Sequence, residues 1–244
     1  MSERASGRSR LSSAAVGPRV RRGHKAAVGA TVLVALMGCT SGGAEGRSAA
    51  PGPAPTSTLL GTEDLKPLLL DASDLGKETR SLSTKKDAGD SLVLGGGPQD
   101  CEELEPYGIY GPIEKVLGTR RTAEAVFTRD GEFLTQRLYS QMPASMLGRV
   151  SKLFAVLTAC PSYTELISLG DKGNAELDVT TRRVDVDVEG VAYGYERVAT
   201  DRVGGSRERR MTVAVTRGWT TVLLDGSPDL VEQALRPALR KATE

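Results

Sequence analysis

Apolar residues recur at three- and four-residue spacing in two long stretches of the chain, as in amphipathic helices. The first stretch lies between Pro143 and Pro161, and the second begins with Ser227 and Pro228 in the N-cap and first helical positions. Weaker patterns of the same kind occur in two shorter segments. Together they predict helices over four ranges: Ala144–Cys160, Pro228–Lys241, Glu63–Leu70 and Asp100–Glu105.

In the rest of the C-terminal two thirds, the period of the pattern is two, which predicts β-strands. Seven segments alternate in this way: Ala123–Arg129, Glu132–Ser140, Glu176–Thr181, Val184–Val188, Val191–Thr200, Arg209–Thr216 and Trp219–Asp225. Asp130-Gly131 predicts a hairpin turn between the first two, and Gly95-Gly96-Gly97 is expected to be a loop. Because short polar loops join the strands, we expect antiparallel pairing. The predicted fold class is α+β, an antiparallel β-sheet with helices packed on one face.

The first 38 residues have the pattern of an export signal. Seven basic residues and one acid precede an uncharged stretch, Ala26–Met37, which is shorter than the roughly 20 residues of a membrane-spanning helix. Leu36-Met37-Gly38-Cys39 resembles the bacterial lipobox. That resemblance implies cleavage after residue 38 and acylation of Cys39, which would hold the mature protein on the extracytoplasmic face of the cell membrane. The alternative is an ordinary core cysteine, and Arg21-Arg22 leaves the twin-arginine export route open beside the Sec route.

Residues 39–58 have the composition of a tether. From Thr40 to Thr58 the chain contains almost only Gly, Ser, Thr, Ala and Pro, so it has no core to bury and is predicted to be disordered. Residues 59–244 contain no second break of this kind and are predicted to form one α+β domain. Loss of residues 1–38 leaves 25 Lys and Arg against 30 Asp and Glu. This mildly acidic balance argues against nucleic acid as a partner.

The mature sequence offers few groups for catalysis. The one histidine of the whole chain, His24, lies in the predicted signal peptide. The mature part therefore has no histidine for a Ser-His-Asp triad, a Cys-His pair or a histidine-ligated metal. Once Cys39 is acylated, Cys101 and Cys160 remain in an oxidising compartment, where two cysteines usually pair. We therefore predict a Cys101–Cys160 disulfide, with a reactive thiol as the alternative. No catalytic residue and no cofactor are predicted.

One acidic segment has the ligand spacing of a calcium-binding EF-hand loop. The acids fall at positions 1, 3, 5 and 12 of such a loop: Asp185, Asp187, Glu189 and Glu196. A strand explains the same pattern, because the valines between the acids would face the core and the acids would face water. Three aromatic residues also have two interpretations, as lining of a ligand surface or as core: Tyr193, Tyr195 and Trp219.

Several of these features occur together in a known group of proteins. They are the Leu68–Leu75 run, the Cys101 segment, the strand with Gln136 and Leu138, and the helix that ends in Cys160-Pro161 before the strands and the C-terminal helix. With them the chain resembles actinobacterial lipoproteins and the extracellular sensor domain of PknH-type serine/threonine kinases, over residues 59–244. The kinase sensor domains have two disulfides, whereas this chain has one cysteine pair available.

The resemblance implies a membrane-anchored, non-enzymatic lipoprotein whose sensor-like domain binds an unknown small-molecule or envelope ligand. One alternative is a carrier of lipid or another apolar ligand, and another is a hydrolase that uses two carboxylates. A shallow polar cleft would favour the sensor, and a large apolar cavity would favour the carrier. Two carboxylates about 5 to 9 Å apart in a groove would favour the hydrolase.

Overall fold

The structure is a computed structural model that describes residues 58–82, 95–168 and 173–243. Its strands are β1 (Arg80–Leu82), β2 (Gly95–Gln99), β3 (Thr122–Arg129), β4 (Glu132–Ser140), β5 (Ser162–Ser168), β6 (Asn174–Val184), β7 (Val191–Asp201), β8 (Arg207–Arg217) and β9 (Thr220–Gly226). Its α-helices are α1 (Thr62–Leu65), α2 (Ile113–Leu117), α3 (Pro143–Leu157) and α4 (Pro228–Lys241). Among the described residues, no helix is long and apolar enough to cross a membrane.

All nine strands pair antiparallel in one sheet, which confirms the predicted pairing. The strand order is β1-β3-β4-β9-β8-β7-β6-β5-β2, so β5 to β9 form a meander that brings β9 back beside β4. The β3–β4 hairpin turns at Asp130 and Gly131, whose φ angles of 53° and 84° suit a two-residue turn of type I′. The two strands nearest the N-terminus, β1 and β2, lie at opposite edges of the sheet.

The central strands β4, β9 and β8 are buried on both faces over residues 134–140, 221–226 and 211–216. Leu224 on β9 packs in the cluster that contains α4, whereas its neighbour Leu223 packs in the cluster that contains α3. Because successive side chains of a strand point to opposite faces, α3 and α4 must cover opposite faces of the sheet. The prediction that the helices pack on one face is therefore wrong. In a continuous apolar run such as Val222–Leu224, successive side chains point to opposite faces. A sheet covered on one side only would therefore expose apolar side chains to water.

The long helices lie close to their predicted positions, but several other elements differ from the prediction. The segment 100–105 is not an α-helix: a 3₁₀ helix starts at Glu105, with a proline in its first turn, and runs to Tyr110. The two strands predicted within 176–188 are one strand, β6, that ends at Val184. Strands β1 and β5 were not predicted.

The predicted loop at Gly95-Gly96-Gly97 is also wrong, because these residues form the edge strand β2. A Cβ atom on Gly96 would lie 1.9 Å from the carbonyl oxygen of Leu166 on β5. The glycine therefore allows the two backbones to approach closely enough to pair.

Two glycines give a matched test of this packing. A Cβ on Gly226, at the end of β9, would lie 2.1 Å from the Phe133 carbonyl oxygen, whereas Gly148 is exposed on α3 with nothing within 4 Å of such an atom. We expect Gly226→Ala to lower the free energy of unfolding by about 1–3 kcal/mol through overpacking. Gly148→Ala should raise it by about 0.5–1 kcal/mol, since glycine is a poor helix former. Urea unfolding of both variants measures the difference, and equal midpoints would contradict the packing described here.

Candidate functional site

The predicted signal peptide (1–38), the acylated Cys39 and the tether up to residue 57 lie outside the described residues. Anchoring through Cys39 therefore stays a prediction. The candidate sites in the folded part are the acidic segment at the end of β6, the cysteine pair, the charged groups of the sheet and the surface depressions.

The acidic segment does not form the predicted calcium loop. Glu196 is buried on β7 and pairs with Arg182 and with Arg209, whose Nη2 lies 2.5 Å from it. The hydrogen bond from Arg209 is the main cause that lowers the pKa of Glu196, against the opposing effect of burial. The acids at 185, 187 and 189 are exposed, while the valines between them pack against the α4 side of the core. The strand-like alternation is therefore the correct interpretation of the segment, although β6 itself ends at Val184.

The predicted disulfide is present and closes one edge of the sheet. Cys101 follows β2 and Cys160 precedes β5, and the Cα atoms of the two residues are 6.1 Å apart. With a sequence separation of 59 between its ends, the bond should stabilise the fold by about 4 kcal/mol, because it restricts the unfolded state. The carboxylate of Glu103 lies 3.5 Å from the Cys160 sulfur. These three residues are the one group of potential metal ligands among the described residues, but both sulfurs are used in the disulfide.

Two of the three aromatic residues belong to the core. Tyr195 is 3% exposed, and Tyr193 packs on Phe154 of α3 with ring centroids 5.5 Å apart. Burial raises the pKa of Tyr195 above its ordinary range. Trp219 differs, because it lies half-buried in the turn between β8 and β9. The three aromatic residues therefore do not form one ligand surface.

Charged groups on the α3 face of the sheet are held in ion pairs. Asp225 on β9 is 5% exposed and accepts hydrogen bonds from Arg210, at 3.0 and 2.5 Å, and from the Thr212 hydroxyl at 2.9 Å. Burial opposes the ionisation of Asp225, but Arg210, Thr212 and the nearby Arg137 outweigh it, so the pKa of the carboxyl is lowered. Because this carboxylate is engaged, it is not a free acid or base for the hydrolase alternative.

The same pattern holds on either side of Asp225. Arg137 on β4 is 6% exposed and pairs with Glu124 on β3 and with Glu114 on α2. Further along the face, Arg197 on β7 pairs with Glu165 on β5. These pairs link the strands of the sheet and compensate the charges buried on this face.

A surface depression lies beside the β3–β4 turn. It is open to solvent, has a volume of about 550 Å³, and is lined by Lys77, Glu78, Arg80, Thr128, Arg129, Asp130 and Gly131. We call it the hairpin depression. It exists because β1 pairs with β3, which places Arg80 opposite Thr128 and brings the residues just before β1 to the turn. The second depression, between α4 and the β8–β9 hairpin, has a volume of only about 10 Å³.

The cations of the hairpin depression differ in whether other residues of the protein hold them in place. Arg129 donates to the Leu75 carbonyl at 3.1 Å and to Gln233 of α4 at 2.7 Å, so it forms a fixed wall. Lys77 and Arg80 are exposed and have no ion-pair partner among the described residues. This site was not predicted from the sequence, because its residues are brought together by pairing between distant parts of the chain.

Comparisons with known proteins find similarity among solved structures. No protein-family model and no curated protein matches the chain. Among solved structures, the chain is similar to the extracellular domain of PknH from Mycobacterium tuberculosis, with 11% sequence identity and a TM-score of 0.49. The similarity covers 76% of this chain and 96% of that one.

The buried carboxylate gives a prediction with a defined dependence on pH. Because the pKa of Asp225 is lowered by folding, its ion pair stabilises the fold above the ordinary carboxyl pKa of about 4 and this stabilisation is lost as the pH falls below that value. We expect Asp225→Asn to lower the free energy of unfolding by about 2–3 kcal/mol at pH 7, the scale of buried hydrogen bonds to a charged group.

Urea unfolding from pH 7 to pH 3 checks this, and the difference between wild type and variant should shrink below about pH 4. Asp178→Asn is the control, because Asp178 and its partner Arg202 are both exposed at the surface, so loss of the pair should change stability little. A constant difference across the pH range would contradict the ionised state of Asp225.

Proposed function

We propose that the protein is a membrane-anchored extracytoplasmic lipoprotein whose sensor-like domain binds a small polar ligand and catalyses no reaction. The observation that carries the ligand-binding part is the hairpin depression, where Lys77 and Arg80 have no ion-pair partner among the described residues. Its volume lies within the range of about 300–1,000 Å³ that is usual for small-molecule sites. Its open, polar character is the feature expected of a sensor rather than of a carrier.

The charges of the depression indicate the chemical class of ligand. Lys77 and Arg80 offer hydrogen-bond donors to an anionic group, and Arg129 adds a guanidinium that is already fixed in position. Glu78 and Asp130 at the same rim can accept hydrogen bonds from a cationic or polar group. A small zwitterion, or an anion with hydroxyl or amine substituents, would complement both kinds of charge.

The alternatives find less support among the described residues. A carrier of lipid needs a large apolar cavity, and the depression between α4 and the β8–β9 hairpin, at about 10 Å³, is too small for an acyl chain. A hydrolase needs two available carboxylates in a groove, whereas Asp225 and Glu196, the most deeply buried acids, are each held by arginine. The hairpin depression does contain two carboxylates, Glu78 and Asp130, but it is open to solvent and cations line it together with them.

A mass measurement tests whether the protein binds a small molecule at the hairpin depression. We expect native mass spectrometry of the mature protein, purified from its own host, to show a bound small molecule in addition to the chain mass. Lys77→Ala combined with Arg80→Ala should remove that mass, because both changed residues line the depression. Lys152→Ala is the control, since Lys152 is an exposed cation on α3. Absence of any bound mass in wild type, or its persistence in the double variant, would overturn this site.

The anchor is tested separately at Cys39. Acylation requires the thiol, so Cys39→Ala should give an unprocessed precursor or a soluble form that carries no label after growth with radioactive palmitate. The neighbouring change Ser41→Ala should leave the label and the membrane fraction unchanged. Persistent acyl label on Cys39→Ala would exclude the lipoprotein hypothesis.

A further inference from the structure

One end of the sheet brings together the start of the folded domain and several exposed apolar side chains. The backbone N–H of Leu60 donates to the Ser140 hydroxyl at 2.8 Å, and the Ser140 N–H donates to the Arg121 carbonyl at 3.2 Å. The Gln141 N–H donates to the Trp219 carbonyl at 3.1 Å. The first described residues, the turn before β3, the end of β4 and the β8–β9 turn therefore meet here. We call this the tether end, because the predicted tether joins the domain at this point.

The tether end is apolar at its centre and basic on one flank. Met142 is 59% exposed and Leu59 is 38% exposed, and Trp219, whose carbonyl is bonded to the residue before Met142, is half-buried. Arg120 and Arg121, in the turn before β3, are both exposed. Tryptophan is enriched at membrane–water interfaces, and arginine is attracted to anionic headgroups.

The opposite end of the sheet lacks this grouping. Its exposed apolar residues are Phe133 at the start of β4 and Val203 in the β7–β8 turn. Two strands, β9 and β8, separate β4 from β7, so these two positions are about 14 Å apart across the sheet. The four segments at the tether end, by contrast, are joined through direct hydrogen bonds or chain continuity.

We propose that the tether end rests on the lipid surface that holds Cys39, with Met142 and Trp219 in the headgroup layer. This inference rests on the lipid anchor of the proposed function. Eighteen residues separate Cys39 from Thr58, which corresponds to a reach of about 23–25 Å for a flexible chain. A tether of this length keeps the domain at an effective concentration in the millimolar range. A weak affinity for the surface is therefore enough to hold the domain there.

The exposed acids between β6 and β7 indicate how the domain is oriented on the lipid surface. Asp185 and Asp187 are exposed between β6 and β7, on the flank away from Arg120 and Arg121, whereas the Glu189 carboxylate lies 3.7 Å from Arg217 beside the β8–β9 turn. An anionic surface would repel that flank and attract the basic one, so the domain should tilt toward β3 and β4. Charges elsewhere in the mildly acidic domain matter less, because the Debye length is about 8 Å at physiological salt.

Trp219 makes the contact directly measurable, because it is the one tryptophan in the chain. The acylated mature protein is reconstituted into vesicles of phosphatidylcholine and phosphatidylglycerol, with either ordinary or brominated acyl chains. Bromine quenches nearby tryptophan, so we expect lower Trp219 fluorescence in the brominated vesicles. Met142→Ser should reduce this quenching by weakening the contact. Val203→Ser, at the opposite end, should leave it unchanged.

The outcomes separate the contact from the anchor. Acylated protein that is bound to vesicles but shows equal Trp219 fluorescence in both lipids would overturn the contact and leave the anchor standing. Equal quenching in wild type and Met142→Ser would overturn the assignment of the tether end. A mature protein without an acyl chain would overturn the anchor, and this inference with it.

Discussion

The burial of β4, β9 and β8 on both faces is the constraint on which the other parts of the structure depend. A strand that is apolar on both sides must be covered on both sides, so α3 and α4 lie on opposite faces of the sheet. The charged residues that share these strands must then be paired, as Asp225 is with Arg210 and Arg137 is with Glu124. Breaking one partner of such a pair costs far more than an exposed pair contributes.

Local patterns in the sequence predicted the elements whose own residues show a clear helical spacing or turn motif. The helix spacing predicted α3 and α4, and Asp130-Gly131 predicted the hairpin. The sequence did not reveal β2, because its Gly-Gly-Gly-Pro-Gln segment has no alternation and its pairing depends on a close approach to β5. Ser227 precedes α4 as predicted, yet its hydroxyl is buried without a hydrogen bond and does not cap the helix.

The candidate sites were predictable only where composition left few possibilities. Two cysteines remained for a disulfide, and they form it. The hairpin depression depends on the register of β1 against β3, and the tether end depends on hydrogen bonds from Leu60 and Gln141 to distant segments. Both lie at the periphery of the sheet. Polar and apolar groups can stay exposed there without weakening the central strands.

Native-state hydrogen exchange on the mature protein tests this division between a doubly covered centre and an exposed periphery most directly. Amides in β8 and β9 should exchange only through global unfolding, so their opening free energies should be the highest in the chain. Amides of β1, a three-residue edge strand beside the hairpin depression, should open at a much lower free energy. Exchange in β8 and β9 as fast as in β1 would show that burial of the central strands does not hold this fold together.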